Sequence, residues 1–345
     1  MNRNGLIAGF LSQHGYGDAR VAPLAQDASF RRYLRLTGGP QPAVLMDAPP
    51  PENVRPFMRI AGHLARLGVS VPTILAADAE HGLLLEEDLG DELLARHLTD
   101  SDKDSTPKTA PPSCHSRHQS ALFDATVDVL VTIQRAIPPA DLPAWDTTAM
   151  ATTALGTLFD WWWPAMFGAP APDAARRDVA TALAAMLAPV AAGPTCFVHR
   201  DFFAENLMWL PQREGIRRIG VLDFQGAAIG HPAYDLVSLL QDARRDIPSA
   251  LAVRTISRYL AARPELEPTA FRAAYAACAA QRHVRVACQW VRLAQRDGRP
   301  GYLVHGPRTW RLLEQAIRHP IAAPLAAAMD RWIPPARRAN PPGLA

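Results

Sequence analysis

At 345 residues the chain is long enough for two packed lobes, and 48% hydrophobic with 20% charged residues is the composition of an ordinary globular protein. A formal net charge of +3, without any basic run, argues against nucleic acid or a membrane surface as a partner. No stretch approaches the apolar length of a membrane span, and the apolar piece at 5–11 is too short for a secretory leader, so a cytoplasmic location is expected.

In chain order, residues 1–20 should form a short amphipathic helix with Leu6, Phe10 and Leu11 on one side, ended by Gly15 and Gly17. Strands are expected over 21–24, 32–36 and 43–46, with turns at 26–29 and at Gly38-Gly39-Pro40. A helix over 54–67 follows, its face marked by Phe57, Ile60, Ala61 and Leu64, and Gly68 stops it. Glu52 reads as a helix-start carboxylate favoured by the dipole, with an ion pair to an arginine as the alternative. Strands at 72–76 and 83–85 and a hinge-like segment at 86–90 come next. Asp91 should cap a short helix at 92–98. Residues 100–118, rich in Ser, Thr, Pro, Lys and Asp, read as a disordered loop without a catalytic role.

From 119 the pattern turns helical, with helices expected to 138, over 147–167 and over 173–189. Trp161, Trp162 and Trp163 cannot all face one way on a helix, so one or two should enter the core. Further helices are expected from 232, over 249–262, 268–296, 302–319 and 321–332, before a Pro-rich tail expected to be disordered. The resulting segments are 1–20, 21–89, 90–118, 119–333 and 334–345. Cys114, Cys196, Cys278 and Cys288 show neither metal spacing nor a disulfide framework and read as free thiols.

The chemistry concentrates at His199-Arg200-Asp201, followed five residues later by Asn206, and at Asp223-Phe224-Gln225. Short apolar runs flank each, so the polar groups sit at strand ends. Phosphoryl transfer needs this set. One carboxylate orients the attacking hydroxyl, while an amide oxygen and a second carboxylate hold the magnesium ions that neutralise the phosphates. Asp201 is thus the candidate catalytic residue, and Asn206 and Asp223 the candidate metal ligands. The spacing is that of the kinase catalytic loop, with D-F-Q in place of D-F-G.

The segment from Asp27 to about Asp246 resembles the aminoglycoside phosphotransferase superfamily. Within it, the chain is most similar to the cell-wall-recycling kinases that phosphorylate N-acetylmuramate and N-acetylglucosamine at the anomeric C1 hydroxyl. That closer resemblance rests on Asp27-Ala28-Ser29-Phe30-Arg31-Arg32-Tyr33, Met46-Asp47-Ala48-Pro49-Pro50, Leu84-Leu85-Glu86-Glu87-Asp88-Leu89-Gly90-Asp91, Leu222-Asp223-Phe224-Gln225 and the run from Ala233 to Leu239.

The resemblance implies an α+β, bilobal protein-kinase-like fold, with a small antiparallel-sheet N-lobe at 21–89 and a large helical C-lobe. It implies ATP and Mg2+ as cofactors and a small-molecule sugar as acceptor. Nucleotide contacts are expected from Ser29, Phe30, Arg31, Arg32, Glu86 and Asp88, and structural support of the catalytic loop from His199, Arg200 and Asp235. Two departures from the wider pattern stand out. The first loop is not glycine-rich, and Met46 occupies the strand position where many kinases place lysine. The only lysines, Lys103 and Lys108, lie elsewhere, and the candidate for the phosphate-binding cation is Arg31 or Arg32. Only one of two adjacent strand residues can face the nucleotide. Another hydroxylated acceptor, such as an aminoglycoside or choline, is the first alternative; a non-catalytic nucleotide-binding protein is the second.

Overall fold

The computed structural model describes residues 2–24, 31–98 and 114–344. The chain forms two compact units, Met1–Thr99 with Ala204–Gly226, and Asp100–Phe203 with Ala227–Ala345. No described helix is long and apolar enough to cross a membrane.

In the first unit, α1 (Arg3–Gln13) precedes β1 (Arg20–Pro23), β2 (Arg32–Thr37), β3 (Ala43–Asp47), α2 (Arg55–Arg66), β4 (Ile74–Asp78) and β5 (Leu83–Glu87). α1 starts where the Asn2 side chain accepts from Gly5 N at 2.8 Å, and the chain leaves it through Gly15 at φ 83°. The five strands form one antiparallel sheet in the order β1-β2-β3-β5-β4. Side chains alternate across a sheet. One face buries Leu36, Ala43, Leu45, Leu83 and Leu85 against Phe10, Leu11 and Tyr16. The other carries Tyr33, Met46 and Leu84, set side by side by the register, with Glu86 two residues beyond Leu84. Met46 and Leu84 are fully buried as well, and since fully burying a large apolar side chain contributes roughly 1.5–3 kcal/mol, both faces stabilise this sheet.

Ala204–Gly226 adds a two-stranded antiparallel ribbon, Leu207–Trp209 with Ile219–Val221. The two strands are those expected from the apolar runs at 207–210 and 219–222; although the sequence groups them in the segment 119–333, their contacts place them with Met1–Thr99. Backbone bonds from Val221 N to Ser70 O at 2.8 Å and from Trp209 N to Glu92 O at 2.7 Å tie the ribbon to the sheet unit. The buried polar backbone finds its partners there rather than among helices.

The second unit holds α3 (Cys114–Arg135), α4 (Thr147–Thr157), α5 (Trp163–Phe167), α6 (Asp173–Met186), α7 (Ala188–Ala191), α8 (Ala233–Leu240), α9 (Ser249–Ala261), α10 (Pro268–Arg296), α11 (Gly306–Ala316) and α12 (Ala323–Trp332). Helix α10 is its spine, buried at most positions from Phe271 to Leu293. A small sheet joins Ala144–Trp145, Ala228–Gly230 and Cys196–Val198.

Three expectations are corrected in this unit. α3 begins at Cys114, so the loop expected to reach 118 ends earlier; Arg117 and His118 sit exposed on the helix, where polar side chains are tolerated. The helix expected over 147–167 is interrupted by a π-helical turn, Leu158–Trp162. Pro164 follows it, and a proline can neither donate to nor fit against the carbonyl one turn back. The interruption leaves both Trp162 and Trp163 buried. Lastly, the tail after 333 is packed. Arg338 is buried and pairs with Glu314 at 2.7 Å and with Asp330, and Asn340 Nδ2 donates to Leu303 O at 2.7 Å.

Candidate active site

In the second unit, the fully buried strand Cys196–Val198 ends on His199-Arg200-Asp201. Asp235, in the first turn of α8, clamps this exit. Its Oδ2 accepts from His199 N at 2.7 Å and its Oδ1 from Arg200 N at 2.9 Å. Burial pushes the Asp235 carboxyl up to about 6, with His199 and the two backbone bonds acting against that rise. Arg200 has φ 75°, a left-handed conformation uncommon in a non-glycine residue. Its guanidinium lies 4.0 Å from the Trp145 ring centre. Its carbonyl accepts from Arg282 Nη1 at 3.1 Å and from Ser238 Oγ at 3.3 Å. The strained turn is therefore held at both its N–H and its C=O.

The turn delivers Asp201. Its side chain is 45% exposed, with Arg282 Nη1 at 3.7 Å and Arg285 Nη2 at 3.9 Å. Burial would raise its carboxyl, but Arg285 and Arg282, helped by His199 and Arg200, outweigh it and hold the group below the usual carboxylate range. Asp201 is thus an anion at neutral pH. It can accept and orient a hydroxyl but is a weak base. On the same helix, His283 Nε2 bonds Gln241 Oε1 at 2.7 Å, and burial lowers the imidazole to about 3. It is a neutral, structural histidine.

In the first unit, the ribbon brings Asn206 and Asp223 to one end. Leu207 pairs with Val221, and Leu222 N donates to Asn206 O at 2.9 Å, so Asn206 and Asp223 leave the ribbon together. Asp223 has φ 55° and is exposed, and its Oδ1 accepts from Gln225 Nε2. Phe224 is fully buried, its ring centre 4.6 Å from that of Phe57 on α2, which anchors the loop.

The same unit separates the two arginines. Arg31 shares the alternation of Tyr33, whose hydroxyl is raised by burial and by the negative charge of Glu86 and Asp223 while Arg31 acts the other way. Arg31, Tyr33, Glu86 and Asp223 therefore lie on one side of the sheet. Arg32 bonds Asp47 Oδ2 through Nε at 3.0 Å, and Arg3 reaches the same carboxylate, on the α1 side. Arg31 Nε donates to Glu52 Oε2 at 3.1 Å. This overturns the helix-start reading of Glu52, since α2 begins at Arg55 without a side-chain cap. Glu86 is pushed up to about 8 by burial, with Arg31 opposing, and holds its proton near neutral pH.

Asp88 accepts from Gly90 N at 2.9 Å and pairs with Arg35 at 2.7 Å. Asp91, expected as a helix cap, is held by Arg35 at 2.9 Å beside a 3-10 turn, Leu94–Leu98. Ser29 and Phe30 lie outside the described residues. Sequence reasoning missed Tyr33 and Arg282. Strict alternation from Arg31 could have found the first; nothing local places Arg282 beside Asp201.

Residues 20–271 match the family model described as "Phosphotransferase enzyme family". The N-acetylmuramate/N-acetylglucosamine kinase of Caulobacter vibrioides is 37% identical, over 96% of this chain and 97% of its own. The kinase of the same name from Pseudomonas aeruginosa is 34% identical, over 90% and 89%. Among solved structures, a choline/ethanolamine kinase family protein from Mesorhizobium loti shares the fold with a TM-score of 0.62 at 14% identity, covering 95% of this chain and 99% of its own. On this match across most of its length, the chain belongs to the phosphotransferase enzyme family.

Proposed function

We propose that this protein is an ATP-dependent kinase that phosphorylates the anomeric C1 hydroxyl of N-acetylmuramate or N-acetylglucosamine. The observation that carries the reading is Asp201, a half-exposed carboxylate kept anionic by Arg282 and Arg285 on a turn that Asp235 clamps. It occurs in a chain related almost end to end to kinases named for those two sugars. A carboxylate of depressed basicity suits an anomeric hydroxyl, which is more acidic than an ordinary alcohol. Asp201 orients that hydroxyl and takes up its proton as the new oxygen–phosphorus bond forms and the bond from the γ-phosphorus to the departing ADP breaks, while positioning and charge neutralisation supply most of the acceleration.

Asn206 and Asp223 offer hard oxygen donors from one ribbon end, a set that fits Mg2+, which commonly takes one or two protein oxygens and completes its shell with phosphate and water. When bound, Mg2+ neutralises charge on the nucleotide phosphates. Arg31 is the phosphate-binding cation in place of the strand lysine, steadied by Glu52 as a helix glutamate steadies that lysine in protein kinases. His199 and Arg200 brace the loop. A requirement for ATP supports a cytoplasmic location. The guanidinium groups beside Asp201 disfavour a polycationic acceptor such as an aminoglycoside.

Coupled ATP turnover against a panel of amino sugars, aminoglycosides and choline tests the proposal. Turnover with the two N-acetyl sugars, lost by about a thousandfold or more in Asp201→Ala, is expected. Preference for another acceptor, or an Asp201→Ala enzyme within about tenfold of wild type, would refute it.

A further inference from the structure

Helix α10 sets Arg282, Arg285, Gln289, Arg292 and Arg296 at alternating spacings of three and four residues, which aligns them along one helix face. The row begins beside Asp201. Its first and last members are committed: Arg282 to the Arg200 carbonyl at 3.1 Å, and Arg296 to Asp297 at 2.7 Å. The middle differs. Arg285 meets Gln289 Oε1 only at 3.4 Å and Asp201 at 3.9 Å. The Nε–H groups of Arg285 and Arg292 are buried without an acceptor, and so is the Nε1–H of Trp145, whose ring centre lies 6.0 Å from the Arg285 guanidinium carbon.

Leaving a buried N–H unpaired costs about 1–3 kcal/mol, more when it is charged, so three in one neighbourhood call for an acceptor. Charge points the same way. Arg200, Arg282 and Arg285 face Asp201 and Asp235, and nearby Asp242 is taken by Arg245 at 3.0 Å. The balance is positive before Arg292 is counted. A carboxylate is the anion that an arginine fork matches with two parallel bonds.

This inference rests on the function proposed above. The two sugars in the relatives' names differ by one group: muramate carries an ether-linked lactyl arm ending in a carboxylate, and glucosamine does not. We infer that Arg285, with Arg292 two turns along α10 and Trp145 beside it, binds the carboxylate of the acidic amino sugar and sets the preference between acidic and neutral acceptors.

The test is the ratio of kcat/KM for N-acetylmuramate to that for N-acetylglucosamine in Arg285→Gln, Arg285→Lys and Arg292→Gln, each checked for folding by circular dichroism. The ratio should fall about 10- to 100-fold in Arg285→Gln, the worth of a hydrogen bond to a charged group. It should fall less in Arg285→Lys, which keeps the charge but loses the fork. Arg292→Gln should shift it in the same direction, and it serves if the Arg285 variants do not fold. An equal loss on both sugars would mean that Arg285 acts only through Asp201 and would overturn the inference, as would an unchanged ratio. A wild-type protein that turns over neither sugar would instead overturn the underlying reading of function.

Discussion

Removing the Asp235 carboxylate should damage stability and turnover together, by an amount that the geometry bounds. Asp235 accepts two backbone bonds, from His199 N at 2.7 Å and Arg200 N at 2.9 Å, and is 1% exposed. Asp235→Ala strands both donors away from water. At about 1–3 kcal/mol for each unsatisfied buried group, the expected loss is about 2–6 kcal/mol. Asp235→Asn keeps one oxygen and turns an amide N–H2 toward the other donor, so its loss should be about half, roughly 1–3 kcal/mol.

Urea titration followed by tryptophan fluorescence reads these values as shifts of the midpoint at constant slope. The turn at Arg200, with φ 75°, is what the clamp restrains. Its relaxation should lower kcat for the folded fraction of either variant while leaving nucleotide KM nearly unchanged. An Asp235→Ala protein within about 0.5 kcal/mol of wild type, the range of ordinary surface changes, would refute the clamp.

Three other outcomes follow from the first unit. Arg31→Ala should raise nucleotide KM about 10- to 100-fold, the worth of a charged hydrogen bond, whereas Arg32→Ala should leave it nearly unchanged because that side chain serves Asp47; steady-state kinetics on the pair would expose a reversed assignment. Asp223→Asn should weaken the magnesium dependence of nucleotide binding, and an unaltered magnesium titration would count against its role as ligand. Glu86, raised to about 8, keeps a proton in the folded state that the unfolded chain has lost, so stability should fall as pH rises from about 4.5 to 8, by at most about 1.4 kcal/mol per pH unit. Glu86→Gln should flatten that slope in denaturation curves at several pH values; an unchanged slope would place the titration elsewhere.

What could be read from sequence was whatever local spacing decides. Asp201, Asn206 and Asp223 are each positioned by a strand of three residues, and the apolar runs that build those strands are visible as letters. Which of Arg31 and Arg32 shares a face with Glu86 and which with Asp47 was not, because alternation assigns the two to opposite faces without saying which face holds the charged partners. That needed the register from β2 through β5 and the pairing of Arg32 with Asp47. The two readings of Glu52 are inseparable in sequence for a related reason: a carboxylate near a helix start carries the same local signature whether it serves the dipole or an arginine 21 residues earlier. The home of Ala204–Gly226 depends on contacts such as Ser70 with Gly220, separated by 150 residues, which no periodicity records.

The packed C-terminal segment bears on how a shortened version of this protein would behave. Trp162 donates its indole N–H to Ala339 O at 2.9 Å, and Arg338 joins Glu314 on α11 to Asp330 on α12. Trimming back to Pro334, which proline content alone would recommend to anyone seeking better crystals, would bare a tryptophan and leave two acidic side chains without their counter-ion. The harvest would be a stickier protein, poorly suited to the lattice it was cut to improve.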